Sequence, residues 1–155
     1  RIQLDQDQSL TMNGIAQGYT TDAVTRVLRQ AGWRNVLVNI GEFHAGGRDW
    51  TLGVSDPLHG LVETIRLKDR AVATSSPSAM QSRSGGPHVL DPMGKRAPQW
   101  STISVQAPNA TVADALSTAF CYASKTEIRS ALSQVDGDLA VICVHQDGTV
   151  ETLKA

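Results

Sequence analysis

Short apolar runs punctuated by Gly, Pro, Asn and Asp, with helical spacing in only three places, most limit the folds open to this chain. Val36-Leu37-Val38-Asn39-Ile40 is a continuous apolar run ended by Gly41, and Trp50-Thr51-Leu52-Gly53-Val54 is another, ended by Ser55-Asp56-Pro57. Runs of this kind suit buried strands. Val62 to Leu67 alternates, Ala71 to Ser75 follows a Lys68-Asp69-Arg70 turn, and Ile103 to Ala107 is a further strand. Leu139 to Val144 and Thr149 to Leu153 flank Gln146-Asp147-Gly148 as a hairpin-like pair. Arg1 to Asp5 and Ser9 to Met12 read as two more short strands around a polar turn. Helical spacing occurs from Tyr19 to Ala31, where Gly32 stops it, in the segment around Asp114, and from Thr126 to Gln134. Because regular βαβ alternation is missing, the pattern predicts an α+β domain with a mostly antiparallel sheet and helices packed on one face.

A chain of 155 residues suits one domain with a real core. Lys plus Arg total 14 against 15 Asp plus Glu, a net charge of −1 without like-charge blocks, which offers no footprint for nucleic acid or an anionic membrane surface. No apolar run approaches the roughly 18 residues needed to span a bilayer as a helix. The chain begins at Arg1 inside an alternating segment, as expected of a processed chain or of a piece of a longer protein. Cys121 and Cys143 have no metal-ligand spacing and read as small buried residues. Residues 76–99 carry Pro77, Pro87, Pro92, Pro98, Gly85, Gly86 and Gly94, the longest irregular stretch, and such stretches often hold function.

Three segments carry candidate chemistry. In Ala113-Asp114-Ala115-Leu116-Ser117-Thr118-Ala119, Val112, Ala113, Leu116, Ala119, Phe120 and Ala123 follow helical spacing toward a core, while Asp114, Ser117, Thr118 and Cys121 share the other stripe. Asp114 and Thr118 lie one turn apart and reach the same point, an oxygen pair suited to a hard cation such as Mg²⁺. The same segment also reads as a helix start, with Thr111-x-x-Asp114 like a capping box and Asn109 as a second cap. Asn13-Gly14-Ile15-Ala16-Gln17-Gly18-Tyr19 joins a strand to a helix, either to let a ligand approach backbone amides or to pack a tight corner. His88-Val89-Leu90-Asp91-Pro92 places an imidazole in the irregular stretch, where it is a surface residue or a general base. His88 and Asp91 would point to opposite sides of an extended segment. His44, His59 and His145 read as solvated or structural.

Taken together with Val36-Leu37-Val38-Asn39-Ile40-Gly41 and Ala71-Val72-Ala73-Thr74-Ser75, these blocks stand in the order and approximate spacing of the FAD:protein FMN transferase (ApbE-like) family, which the chain resembles over nearly all its length. The resemblance implies a single domain over residues 1–155, T-fold-like, corresponding to the C-terminal part of a family member. It implies Mg²⁺-dependent transfer of FMN from FAD to a Ser or Thr hydroxyl of an acceptor flavoprotein, with AMP leaving. Asp114, Ser117 and Thr118 would then be metal ligands together with the Gly14 carbonyl, and His88 the base for the acceptor hydroxyl. Thr11, Gln17, Val89 and Leu90 would line the flavin site. A periplasmic or lipid-anchored parent is also implied, without an oligomeric state. The chain departs from the family pattern at Thr11 (commonly Asp), Gln17 (Lys or Glu), Glu42-Phe43 (Gly and Asp), Ser76 (Gly) and Met93-Gly94-Lys95 (Thr-Gly). These departures keep two alternatives open: a flavin- or metal-binding module of the same fold, and an FAD pyrophosphatase giving FMN and AMP.

Overall fold

Alternation along the central strands assigns each side chain to one of two faces, and both faces are covered. A computed structural model describes residues 1–77, 79, 88–91, 93–94 and 96–154. Chain order is α1 (Ala16–Gln30), β1 (Val36–Asn39), β2 (Phe43–Gly46), β3 (Trp50–Asp56), β4 (Gly60–Leu67), β5 (Arg70–Ser75), β6 (Thr102–Ala107), α2 (Ala110–Phe120), α3 (Lys125–Leu132), β7 (Ala140–Val144) and β8 (Val150–Lys154). Six strands form one sheet in the order β1-β2-β5-β6-β7-β8, antiparallel at every pairing, and β3 with β4 forms a separate hairpin. Ala73, Ile103, Val105, Val141 and Cys143 pack with Ala113, Phe120, Ile128 and Leu132 of the helices. Their neighbours in register, Val72 and Ile142, pack instead with Ala45 and with Val54, Ile65 and Leu67 of the hairpin. The helices therefore share one face, as expected, and the hairpin roofs the other.

Caps fix where the helices begin. Asn109 accepts a hydrogen bond from the Val112 N–H at 2.8 Å and is the N-cap of α2, so the Thr111-x-x-Asp114 capping box does not form. Thr111 turns its hydroxyl to Asp22 instead. Ser124 and Glu127 close a true capping box on α3. Beyond α1 the backbone turns at Gly32, whose φ of +90° suits glycine.

Three expectations need correction. Residues 1–12 form no strand: a turn at Asp5–Gln8 is present and the Met12 carbonyl accepts from the Ile15 and Ala16 N–H groups, but no described strand pairs with the segment. Ile2, Leu4, Leu10 and Met12 consequently stay exposed. The apolar run Val36–Asn39, expected to be buried, is buried only at Val38, because the strand lies at the edge of the sheet. Ala119 is exposed, whereas Asp114 and Ser117 on the supposed polar stripe are buried, because α2 packs against α1 as well as against the sheet. Of the residues singled out in the irregular stretch, Gly85, Gly86, Pro87, Pro92 and Lys95 lie outside the described residues. Among the described residues no helix is long and apolar enough to cross a membrane.

Candidate active site

Two glycines bring the corner before α1 onto the flank of α2. The Gly18 N–H donates to Asp114 Oδ2 at 2.8 Å. A Cβ on Gly18 would lie 2.2 Å from the Ala110 carbonyl oxygen, so only glycine lets the two helices approach this closely. A Cβ on Gly14 would come within 2.9 Å of Thr118 Cγ2. The packing reading of this corner therefore holds, against Ala110 at Gly18 and against Thr118 at Gly14.

Beside this contact opens a cavity of about 630 Å³. Its walls include Thr11, Gly14, Gln17, His88, Val89, Leu90, Asp114 and Thr118, all of them expected from sequence. Glu42, Thr74, Ser75 and Ser76 join them without having been expected as site residues. Ser117 is the exception among the expected residues. It is fully buried and absent from the walls, because its hydroxyl is turned inward to donate to the Asp114 carbonyl at 3.0 Å. That spends its proton, so Ser75, 2.8 Å away, donates to Ser117. The Ser75 oxygen is then left to accept from Thr118 Oγ1 at 3.4 Å. This relay leaves Thr118 oriented with lone pairs for the cavity.

A second relay ends at Ser76. Asp56 is buried and accepts from Ser101 Oγ (2.6 Å), Thr102 Oγ1 (2.7 Å), the Leu58 and His59 amides (2.8 and 3.0 Å) and His59 Nδ1 (2.8 Å). Burial pushes its pKa up, but these donors together outweigh burial and hold it below the ordinary carboxylate value. Asp56 is therefore a carboxylate, and Thr102 spends its single proton on it. The Ser76 hydroxyl, 2.7 Å from Thr102 Oγ1, must donate to Thr102, and it presents only acceptor lone pairs to the cavity.

Two buried acids line the cavity. Glu42 and Asp114 are 6% and 3% exposed. Burial, and then the charge of Asp114, push the Glu42 carboxyl up to about 8, against a smaller pull from the Thr74 N–H. Burial also raises Asp114, which the Gly18 N–H only partly offsets. Among the described residues no lysine or arginine lines the cavity. Glu42 directly follows Gly41 (φ +97°) in the turn between β1 and β2.

His88 is exposed at the rim, its N–H donating to the Pro77 carbonyl at 3.3 Å. Asp91 is buried and turned to Arg96, accepting from its amide at 3.0 Å, so it forms no dyad with His88. Tyr122 donates to the Val89 carbonyl at 2.6 Å and fixes that wall. The remaining histidines are structural: His44 meets Asp22 at 2.9 Å, His59 meets Asp56, and His145 meets Glu151 and the edge of Trp100. A second hollow of about 750 Å³ between α1 and the start of α2 contains Asp22 and His44. Asp22 is spent there on the Ala110 and Thr111 amides as well as on His44.

Known proteins share this fold. The chain is 28% identical over 152 residues to the FAD:protein FMN transferase of Rhodobacter capsulatus, a match covering 91% of this chain and 29% of that protein. The ApbE protein of Thermotoga maritima superposes with a TM-score of 0.76 at 30% identity, over 90% of this chain and 50% of that one. The Pseudomonas stutzeri flavinyl transferase ApbE superposes with a TM-score of 0.70 at 25% identity, over 94% and 49%. The chain thus spans about half the length of these solved relatives and under a third of the curated one. The ApbE family model matches residues 1–143, and with the glycine corner, the Asp114 helix and the His88 loop gathered on one cavity, the chain belongs to the ApbE family.

Proposed function

We propose that this chain forms the metal-binding half of an FAD:protein FMN transferase, and the observation that carries the reading is that Gly14, Asp114 and Thr118 meet on one cavity with His88 at its rim. The donor set is oxygen throughout, with a buried carboxylate that no described cation neutralises, which fits a hard divalent ion such as Mg²⁺. Asp114, Thr118 and the Gly14 carbonyl would hold it, and when bound it supplies neutralisation for the pyrophosphate of FAD. Ser117 acts one step behind, through Ser75, by orienting Thr118. His88 is placed to take the proton from a Ser or Thr hydroxyl of an acceptor flavoprotein. The acceptor oxygen then bonds to the FMN phosphorus while the phosphoanhydride bond breaks and AMP leaves. Val89 and Leu90 give the flavin an apolar wall.

Thr11 and Gln17 line the cavity without charge, and this favours as second reading a binding module of the same fold that does not turn over. One experiment separates the readings. The full-length parent is incubated with FAD, Mg²⁺ and an acceptor protein carrying a target threonine. Transfer predicts AMP in step with flavin on the acceptor, both lost in Asp114→Ala. FAD binding without AMP supports the module. AMP and free FMN regardless of acceptor supports hydrolysis.

A further inference from the structure

We propose that Glu42 is a second carboxylate ligand of the cation held by Asp114, so that this chain grips its metal between the β1–β2 turn and α2; the inference rests on the reading of the cavity as a metal site. Glu42 is 6% exposed, yet it forms part of the cavity wall. One of its oxygens accepts from the Thr74 N–H at 3.2 Å, and the other has no hydrogen bond among the described residues. Asp114 is 3% exposed and is arranged in the same way, with Oδ2 on the Gly18 N–H and Oδ1 without a hydrogen bond among the described residues. Two buried acids thus each turn a spare oxygen to one hollow, close enough for the charge of Asp114 to reach Glu42.

Such a pair is costly. Buried carboxylates persist when they are protonated or paired, and neither lysine nor arginine among the described residues lines this cavity. A divalent cation removes the repulsion and uses both spare oxygens, together with the Thr118 lone pair that the Ser75–Ser117 relay sets free.

The turn that carries Glu42 is built to hold it there. The Gly41 N–H donates to Asn39 Oδ1 at 3.1 Å, and the Glu42 carbonyl accepts from the Ile40 N–H at 3.3 Å and from Thr21 Oγ1 at 3.4 Å. A Cβ on Gly41 would collide with Gln17 Nε2 at 2.6 Å, so the cavity wall itself closes over this turn. A carboxylate meant only for solvent has no need of this anchoring.

The test uses the full-length parent without flavin, with Mn²⁺ binding read by electron paramagnetic resonance and calorimetry. Wild type should bind one ion at this site, Asp114→Asn should lose it, and Glu42→Gln should weaken it by about 10- to 100-fold. In EDTA the Glu42→Gln Tm should be no lower than wild type, since the substitution replaces a buried acid whose charge is disfavoured there with a neutral group and keeps an acceptor for the Thr74 N–H. An independent measurement on wild type, infrared spectroscopy with ¹³C-labelled glutamate, should show a glutamate carboxylate band shifting on Mn²⁺ addition. Wild-type affinity in Glu42→Gln with binding lost in Asp114→Asn would overturn the proposal and leave the cavity reading intact. An unshifted glutamate band would overturn it as well, even if Glu42→Gln failed to fold. Absence of Mn²⁺ binding in wild type would remove the metal reading, and this inference with it.

Discussion

Gly14 and Gly18 differ in what an added methyl group would strike, and that difference sets what each substitution should do. At Gly18 the obstacle is backbone, the Ala110 carbonyl at 2.2 Å, with Asp114 Cβ at 2.7 Å behind it. Gly18→Ala should therefore cost about 3 kcal/mol in urea unfolding and break the bond that holds Asp114. At Gly14 the obstacle is the end of the Thr118 side chain, which can rotate. Gly14→Ala should cost about 1 kcal/mol or less, while displacing the Thr118 hydroxyl and lowering Mn²⁺ affinity in the same titration. Sequence spacing made the Asp114–Thr118 pair legible because one helix turn is local geometry, whereas Gly14 was reached only through the family resemblance. Glu42, Ser75 and Ser76 were not legible as site residues, since each owes its role to a partner far along the chain: Asp114, Ser117 and Thr102. Ser117 was misplaced for the same reason, as its inward turn depends on how α2 docks.

At the scale of elements, the β3–β4 hairpin is attached at one end through Asp56, which gathers donors from β6 and from the turn that follows β3. Asp56→Asn removes the charge that these donors face and should cost about 3 kcal/mol. Hydrogen exchange should show the loss of protection concentrated in β3, β4 and the start of β6. The α2 cap gives a cleaner local test. Asn109→Ala should cost about 1 kcal/mol by losing the Val112 N–H bond, measured by thermal unfolding. Short apolar runs, helical periodicity and the Gly32 stop predicted most elements, because each is written within a few residues. The segment 1–12 was read as strands from its alternation, but a strand needs a neighbour for its backbone, and alternation alone cannot supply one. The edge position of β1 was hidden likewise, since strand order is decided by contacts between elements.

For the molecule as a whole, acid sensitivity should follow from Asp22 and Asp56. Burial raises both, but the hydrogen bonds that Asp22 receives from Thr111 and Ala110, like those gathered by Asp56, win and leave each folded-state pKa below the ordinary value. A depressed carboxylate adds stability that is fully present above its unfolded pKa of about 4, and that stability is lost as the pH falls through the folded value. Urea midpoints should therefore drop steeply below about pH 4, and Asp56→Asn should flatten that limb while lowering the neutral plateau. The two thiols give the same molecule a built-in gauge of opening. Cys121 and Cys143 are fully buried, and burial pushes both up to about 12, so the native state offers almost no thiolate to a reagent. Maleimide dyes should stay unreacted with the folded chain and mark only molecules that have come apart, turning labelling into a clock for how often the interior meets water.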